Sequence, residues 1–372
     1  MAALLAGCGG GDETETAARK QAEAPAQRSP ETPAQKQPQN PAPEESERPR
    51  KPLRPVSVAL DGYPNPGNVG ILVAAERDYF EEAGLRVTIS SPIIPTRPVR
   101  YLSEGIVDLT ISHLPQVALA RENNKPVVAV ASLIPEPTTA MIWLEDSEID
   151  DIADLKGKSI AFPGLPFQEE LLRSLLAQAG LTLADVELKQ AGYEIVPALL
   201  EGRADAIFGA SSNVEGAELE AREMDPVVTP VEDLDVPAYE ELVLVARPGW
   251  LSKNKGLTRD FLSAMARGTA AAVEDPDAAT ETVLARLALE KPSFEVEGET
   301  DREAEEAKEA EEASREGMEA GVEATLPLLS PTGSMSKSEA DLLVDWMLEE
   351  GMIRQELPAS ALLTNAYLKP RS

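Results

Sequence analysis

The sequence has very few of the residues that build covalent or metal-held frameworks. Only one cysteine and one histidine occur among its 372 residues. A single cysteine excludes a disulfide framework and a thiolate metal cluster, because each of these needs several cysteines. A lone histidine likewise argues against a zinc site built from histidines. We therefore expect the chain to hold no metal ion and no other cofactor.

Basic side chains and long apolar runs are also scarce. The chain has 34 lysines and arginines against 65 aspartates and glutamates, which gives a net charge of −31. Such a charge repels phosphate backbones, so we do not expect nucleic acid as a partner. No run of residues approaches the roughly 18 apolar side chains of a membrane-spanning helix. The chain would therefore meet a membrane only through a lipid.

The single cysteine closes the segment Leu4-Leu5-Ala6-Gly7-Cys8. An apolar residue, two small residues and a cysteine near an N-terminus resemble the lipobox of bacterial lipoproteins. The resemblance implies a lipid on Cys8 and anchoring at the extracytoplasmic face of the cell membrane; the alternative is a chance cysteine in a floppy terminus. Residues 1–7 are too short and lack the basic side chain of a secretory signal. We expect residues 1–8 to be the end of a truncated signal whose start lies upstream.

Residues 9–55 are predicted to form a tether. Nine prolines fall between Pro25 and Pro55, among Gln, Glu, Ala and Arg, and large apolar side chains are almost absent. A segment of this composition cannot bury a core, so disorder is expected. A coil of about 45 residues spans roughly 35–40 Å. An inter-domain linker is the alternative interpretation.

The remaining residues predict two α/β lobes followed by helices. Val56–Leu60 and Leu85–Ile89 have the pattern of strands, with a helix between them at 70–83, so the sheet should be mainly parallel. The same order of elements restarts near Asp150, which indicates a second lobe inserted in the first. The chain would return to the first lobe near Leu242–Ala246. Helices are predicted at 258–273, 277–289, 300–325 and 336–350, with a solvated face over 301–319.

A series of short segments along the chain carries a resemblance to a known family. The segments are Asp61-Gly62-Tyr63-Pro64-Asn65, Gly70-Ile71-Leu72-Val73-Ala74, Glu76-Arg77-Asp78-Tyr79-Phe80, Ala83-Gly84-Leu85, Asp154-Leu155-Lys156-Gly157-Lys158, Pro163-Gly164, Asn213-Val214-Glu215-Gly216, Tyr239-Glu240-Glu241-Leu242-Val243, Asp345-Trp346-Met347 and Thr364-Asn365-Ala366-Tyr367-Leu368. They resemble, in the same order, segments of the thiamine-pyrimidine-precursor family of ABC-importer substrate-binding proteins, to which the pyrimidine synthases of thiamine biosynthesis are related. The similarity extends over nearly all of residues 56–369.

The resemblance implies a two-lobed periplasmic-binding-protein fold of type II with a helical C-terminal region. We expect one lobe from residues 56–142 and 240–369 and the other from 143–239. The lobes would close over a small polar heterocycle, with a hinge near 140–145 and 236–246. The implied partners are the small-molecule ligand and an ABC permease with its ATPase, and we expect a monomer.

The turns after the predicted parallel strands should line the ligand crevice, because α/β folds bind ligands at the carboxyl ends of their strands. These turns lie at 61–68, 112–116, 163–167 and 210–215. The candidate ligand-binding residues are Asp61, Tyr63, Asn65, Asn68, Ser112, His113, Gln116, Phe167, Asn213 and Glu215.

Each candidate has an ordinary structural alternative. Tyr63 and Phe167 could stack on a flat ring or simply pack in the core. Asn213, like Asn65, could bind the edge of a heterocycle or serve as a turn residue. Glu215 matches the Glu of an Asn-x-Glu segment that, in the family, accepts hydrogen bonds from ligand amino or imino groups; an ordinary acidic residue at a helix start is the alternative. His113 could contact the ligand or be a buried structural histidine.

The chain also departs from the family pattern. Gly62 stands where the family usually has Trp, Asn68 stands where it has His, and Ser211 and Ser212 replace an aromatic before Asn213. The aromatic surfaces that would stack on a ligand ring are therefore missing or displaced to Tyr63 and Phe167. The identification of the ligand as a pyrimidine stays open for this reason.

Two other functions compete with transport. The related synthases use a histidine in the opening loop and a cysteine-rich segment before a late strand. Here the loop position is Asn68 and residues 236–246 contain no cysteine. No phosphate loop or catalytic triad is found either, so we do not expect an enzyme. A ligand-sensing receptor lipoprotein would use the same lobe closure, and the sequence does not separate it from a transport protein.

Overall fold

The computed structural model describes residues 52–92, 94, 96–290 and 301–368, and the side chains of the last range from residue 312 onward. Cys8 and almost all of the predicted tether lie outside these residues. The predicted tether ends at residue 55, whereas the first strand already begins at Arg54. Every described residue belongs to one compact unit, Lys51–Ser372.

Ten strands form within the described residues. They are β1 (Arg54–Ala59), β2 (Leu85–Ser90), β3 (Leu109–Ser112), β4 (Val128–Ile134), β5 (Thr139–Leu144), β6 (Ser159–Phe162), β7 (Glu187–Gln190), β8 (Ala206–Ser211), β9 (Pro226–Pro230) and β10 (Leu242–Ala246).

Thirteen α-helices accompany these strands in the same part of the chain. They are α1 (Val69–Glu76), α2 (Tyr79–Glu82), α3 (Pro98–Glu104), α4 (Leu114–Glu122), α5 (Pro166–Gln178), α6 (Ile195–Leu200), α7 (Ala217–Ala221), α8 (Pro248–Lys253), α9 (Lys255–Glu274), α10 (Pro276–Glu290), α11 (Asp301–Thr325), α12 (Lys337–Glu349) and α13 (Ala359–Leu362).

The strands form two five-stranded sheets. The first sheet has the order β2-β1-β3-β10-β4 and the second the order β7-β6-β8-β5-β9. We call the two sheets, each with the helices that cover it, the first and the second lobe. In both lobes a serine in one strand hydrogen-bonds the aspartate just before another strand, Ser57 with Asp108 and Ser159 with Asp205. The second lobe therefore repeats the construction of the first, as the restarting sequence pattern indicates.

The prediction of mainly parallel sheets is wrong. β1 pairs parallel with β2 and β3, and β6 pairs parallel with β7 and β8. β10 and β5, however, run antiparallel to both of their neighbours. Each of these strands follows a crossing from the other lobe, so it enters its sheet from the opposite end. The apolar runs that encode them carry no information on direction.

The predicted helix at 70–83 is two helices, because Asp78 adopts a left-handed conformation with φ 56° between α1 and α2. The chain passes from the first sheet to the second between β4 and β5, at 135–138, and returns before β10. Residues 139–142, which the sequence assigns to the first lobe, thus lie in the second sheet. β9 was not predicted, and prolines occupy both of its ends.

The C-terminal helices join parts of both lobes. The end of α11 packs on the second lobe at α7 and on the loop around Pro66 in the first lobe. Within 312–319, Glu312, Ser314, Arg315, Glu316 and Glu319 are exposed, whereas Gly317 is buried against Glu218. The predicted solvated face is therefore only part of this helix. Among the described residues no helix is long and apolar enough to cross a membrane.

A contact between two glycine-bearing helices packs α1 against α9. Gly268 of α9 faces the backbone of Gly70, and a Cβ added at Gly268 would lie 2.6 Å from Ala74 Cβ. Phe80 of α2 also stacks on Phe261 of α9, with ring centroids 4.8 Å apart. The close approach of α1 to α9 thus depends on the missing side chain at Gly268.

We predict that Gly268→Ala destabilises the chain. Alanine normally stabilises a helix interior by about 1 kcal/mol relative to glycine, but overpacking against a backbone costs about 1–3 kcal/mol. Because a backbone oxygen leaves little room to relax, we expect urea denaturation to show a net loss of up to about 2 kcal/mol. Gly256→Ala in the same helix is the control, because nothing lies within 4 Å of a Cβ there. Equal stability of the two variants would contradict the prediction.

Candidate ligand-binding cleft

A cavity of about 260 Å³ lies between the two lobes. The turns that follow β1, β3, β6, β7 and β8 all contribute residues to it, together with the two crossing segments. These five strands are the parallel ones that end at the crevice, which is where α/β folds bind their ligands. Leu287 of α10 completes the wall from the first lobe.

Six of the ten sequence candidates line this cavity: Asp61, Tyr63, Asn65, His113, Asn213 and Glu215. The other four do not. Phe167 is buried at the start of α5 and packs against the His113 ring, with centroids 4.9 Å apart. Ser112 and Gln116 face a small side pocket, and Asn68 is buried behind Asp61. The interpretation of Phe167 as a stacking surface is therefore wrong for this structure, in which its ring supports the histidine.

The floor of the cleft is held by the carboxylate of Glu241, which precedes β10 and is 1% exposed. It accepts hydrogen bonds from the backbone N–H groups of Thr138 (2.7 Å) and Thr139 (2.9 Å) and from the Thr139 hydroxyl (3.0 Å). The hydroxyl of Tyr239 donates to it at 3.3 Å. These bonds join the two chain segments that cross between the lobes, one before β5 and the other before β10.

His113 is the fifth donor to Glu241. Its Nδ1 lies 2.8 Å from Glu241 Oε1, and because a carboxylate only accepts, the imidazole donates. The ring lines the cavity, and Nε2 has no hydrogen-bond partner among the described residues. His113 is therefore anchored structurally by Glu241 and lines the cavity, and its contact with a ligand stays a prediction.

Burial alone would lower the pKa of His113, but the hydrogen bond to Glu241 and the charges of Glu241 and Asp61 outweigh it and leave the pKa raised. Burial alone would raise the pKa of Glu241, yet the bonds from His113, Thr138 and Thr139 hold it below its usual range. Both shifts favour the charged pair.

Asp61 follows β1 and is oriented by Asn68, whose Nδ2 donates to Asp61 Oδ1 at 2.9 Å. Asn68 is fully buried at the start of α1. It positions the carboxylate without lining the cavity. Asn65 is used locally, since its Nδ2 donates to the Tyr63 carbonyl at 3.1 Å, although it also borders the cleft.

Two buried amide oxygens at the cavity have no hydrogen-bond partner. Asn213 donates through Nδ2 to Thr325 Oγ1 of α11 (2.7 Å), which leaves its Oδ1 unpaired. Gln168 donates to the Gly209 carbonyl (3.2 Å), which leaves its Oε1 unpaired. A buried acceptor without a donor is costly. Both side chains border the cavity.

Glu215 lies in a π-helical turn, Ser212–Gly216, directly after β8. Such wide turns are frequent at functional sites. Its Oε2 accepts the Ser211 backbone N–H at 2.7 Å, and the backbone N–H of Glu215 itself also donates to this carboxylate. Burial raises the pKa of Glu215 to about 7, and the charges of Glu218 and Asp61 add to this, against the hydrogen bond from Ser211. At neutral pH the carboxyl group can therefore either accept or donate.

The sequence reasoning missed Tyr193, Gln168, Thr138 and Glu241, all of which line the cavity. Tyr193 follows the parallel strand β7, so the strand-end rule would have found it had it been applied to that strand. Glu241 belongs to a segment used for the family resemblance. Gln168 and Thr138 carry no local signal, because only the fold brings them to the cleft.

The cleft is rich in acceptors and poor in cations. Asp61, Glu215 and Glu241 supply carboxylates, and His113 supplies the one positive group; among the described residues that line the cavity there is no lysine or arginine. In the described part of the chain, no group of three or more His, Cys, Asp or Glu side chains could hold a metal ion.

Comparison with known proteins agrees with this organisation. The family model described as NMT1/THI5 like matches residues 65–279. The chain is 35% identical over 232 residues to the formylaminopyrimidine-binding protein of Halalkalibacterium halodurans, which covers 62% of this chain and 70% of that protein. It is 28% identical over 227 residues to a 4-amino-5-hydroxymethyl-2-methylpyrimidine phosphate synthase of Aspergillus parasiticus, covering 58% and 66% of the two chains.

Among solved structures, the alkanesulfonate-binding protein SsuA of Xanthomonas axonopodis pv. citri superposes with a TM-score of 0.61. The superposition covers 84% of this chain and 99% of that one, at 15% identity. A likeness at this identity shows the fold alone. The predicted type II periplasmic-binding-protein fold is thus confirmed.

We predict that Glu241 sets the ionisation of His113. Because the chain has a single histidine, NMR of a tag-free sample gives one imidazole titration, with a pKa above 6.5 in the wild type. Glu241→Gln should lower that pKa, since the imidazole stays buried while its negatively charged partner is lost. The stability contributed by His113 is present below pH 6.5 and disappears as pH rises through its raised pKa.

The matched control is Glu240→Gln. Glu240 is equally buried but accepts from Ser336 N–H instead of His113. This variant should leave the imidazole titration unchanged. An unchanged titration in Glu241→Gln would show that Glu241 does not hold the charge of the histidine.

Proposed function

The chain belongs to the NMT1/THI5-like family, and from that premise we propose that it is the substrate-binding protein of an ABC importer. It captures a small amino-substituted heterocycle, a thiamine pyrimidine precursor or a close analogue, between its lobes. The observation that carries this proposal is the cleft lined by acceptors, with Asp61 and Glu215 and without lysine or arginine among its described lining residues.

The acceptors suit a ligand that carries amino and ring N–H groups. The carboxyl group of Glu215 lines the cavity, where it can accept from an amino group. With a pKa raised by burial to about 7, it can also share a proton with a neighbouring ring nitrogen. Asn213 Oδ1 and Gln168 Oε1 are two further acceptors. Hydrogen bonds that involve a charged group contribute about 1.5–3 kcal/mol each, so this edge would dominate recognition.

An anionic ligand fits the cleft poorly. A sulfonate needs donors and positive charge, and the carboxylates at this cavity would repel it. The chain therefore shares its fold with the sulfonate-binding protein, while its ligand chemistry is proposed to follow the formylaminopyrimidine-binding relative.

A binding protein is proposed over a synthase. The resemblance to the synthases implies a histidine in the opening loop, where this chain has Asn68, and a cysteine-rich segment before the late strand, where it has none. Asn68 supports Asp61 through a hydrogen bond, which is a structural task. A sensory lipoprotein with the same cleft is the second candidate, and a neighbouring gene for a kinase instead of a permease would favour it.

Lipid anchoring through Cys8, at the extracytoplasmic face of the cell membrane, completes the proposal. The lipid would keep the binding protein near its permease and raise its effective concentration there. A monomer suffices for this mechanism, since one chain carries both lobes of the cleft.

Calorimetry with a small panel tests the ligand class. We expect the 372-residue chain to bind 4-amino-5-hydroxymethyl-2-methylpyrimidine or a formylaminopyrimidine, and not an alkanesulfonate or MOPS. A ligand at 1,000 times its dissociation constant adds about 4 kcal/mol of stability, so the thermal midpoint should rise with it. Binding of the sulfonate with no response to either pyrimidine would overturn the proposal.

Glu215 variants sharpen this test. Glu215→Ala and Glu215→Gln should each weaken pyrimidine binding at least about tenfold, the loss expected for one charge-assisted hydrogen bond. Glu220→Gln, on the exposed face of the same region, is the control. The Glu215 pKa is raised from 4.5 to about 7, so this group lowers stability as pH rises from about 4.5 to about 7, and the loss stays constant above that. Ligand-free Glu215→Gln should therefore melt higher than the wild type at alkaline pH.

Cell fractionation tests the anchor. Cys8→Ala, expressed with a complete signal upstream, should move the protein from the membrane fraction to the soluble fraction, because no sulfur is left to carry the lipid. Membrane retention of that variant would contradict lipidation at Cys8.

A further inference from the structure

Tyr193 crosses from the second lobe to the first. It lies between β7 and α6, and its hydroxyl reaches two carbonyl groups that follow strands of the first sheet, Asp61 O at 3.3 Å and Pro92 O at 3.1 Å. Burial raises the pKa of this hydroxyl, so it stays protonated and remains a donor. The contact can exist only while the cleft is shut.

The ring of Tyr193 occupies the space above Gly62. A Cβ added at Gly62 would lie 2.8 Å from Tyr193 Cε1, and real Cβ atoms essentially never come within 3.0 Å of a neighbour. The backbone of Gly62 carries no positive φ that would by itself require glycine. The absence of a side chain at position 62 is therefore explained by this ring from the other lobe.

Tyr193 also forms part of the ligand-facing surface. Its ring centroid lies 5.0 Å from that of Tyr63, with the planes tilted by 57°, and both side chains line the cavity. A tilted aromatic pair of this kind forms an apolar wall beside the acceptors of Asp61 and Glu215.

We propose that Tyr193 is the closing residue of the cleft: its ring seats on Gly62, its hydroxyl bonds the first lobe, and with Tyr63 it forms the wall that selects a flat ring. Gly62 is its matched partner, so the two positions determine closure and specificity together. The proposal rests on the proposed function in that it takes the cavity to be the ligand site. If Tyr193 only packed the second lobe, the effects of substitutions at positions 62 and 193 would instead be additive.

A double-mutant cycle tests the pairing, with 4-amino-5-hydroxymethyl-2-methylpyrimidine as the probe in calorimetry. Gly62→Ala should weaken binding at least about tenfold, because the methyl group blocks the ring. Tyr193→Ala should weaken it by a similar factor, and Tyr193→Phe by about three- to tenfold, the loss of one hydrogen bond. In the Tyr193→Ala background, Gly62→Ala should add less than about twofold, since interacting positions are not additive.

The controls are a glycine and a tyrosine away from the cleft. Gly249→Ala has nothing within 4 Å of the added Cβ, and Tyr101→Phe loses a hydroxyl outside the cavity. Both should bind the probe like the wild type. Additive losses at positions 62 and 193 would overturn the pairing and leave the proposed function standing.

A readout without ligand separates the two proposals. In the ligand-free chain, Gly62→Ala and Tyr193→Phe should each speed amide hydrogen exchange in peptides covering 61–68 and 190–196, and the two controls should not. If the wild type binds neither pyrimidine but the two variants show this faster exchange and the controls do not, the proposed function fails and the closing role holds. If exchange in both peptides is unchanged, Tyr193 does not close the cleft.

Discussion

The buried carboxylate of Glu241 is the interaction on which the cleft depends. It binds the backbone of Thr138 and Thr139 on one crossing segment, sits on the other segment itself, and anchors His113 at the end of β3. An unpaired buried charge would cost several kcal/mol, so these partners are held together as a set. The two chain segments that cross between the lobes and the histidine of the described cavity lining thus share a single anchor.

The fold and the ligand chemistry are separable in this protein. A superposition at 15% identity with a sulfonate-binding protein extends over most of the chain, although a cleft rich in carboxylate and amide oxygens suits a donor-bearing ligand. Fold does not imply function, since function resides in the side chains of the loops. The turns after β1, β3 and β8 carry Asp61, His113 and Glu215, and our proposal assigns the choice of ligand class to these few positions.

The sequence located the cleft well and its walls less well. Strand-end turns predicted six residues that line the cavity, because the carboxyl ends of parallel strands converge whatever the details of packing. Phe167 was assigned to the wall and its neighbour Gln168 was not, yet Gln168 lines the cavity and Phe167 packs behind it. One residue of helix rotation decides between them. Such a difference depends on the packing of α5, which no local pattern encodes.

Composition and periodicity by themselves determined the two-lobed α/β organisation and the positions of the buried strands. They did so because apolar runs, turn residues and charge are local properties of the chain. Only the tertiary structure decided the direction of the strands, the crossing at 135–138 and the contact of Tyr193 with Gly62. Each of them joins residues far apart in sequence, and Tyr193 meets Gly62 across 131 positions only because two separate sheets close on each other.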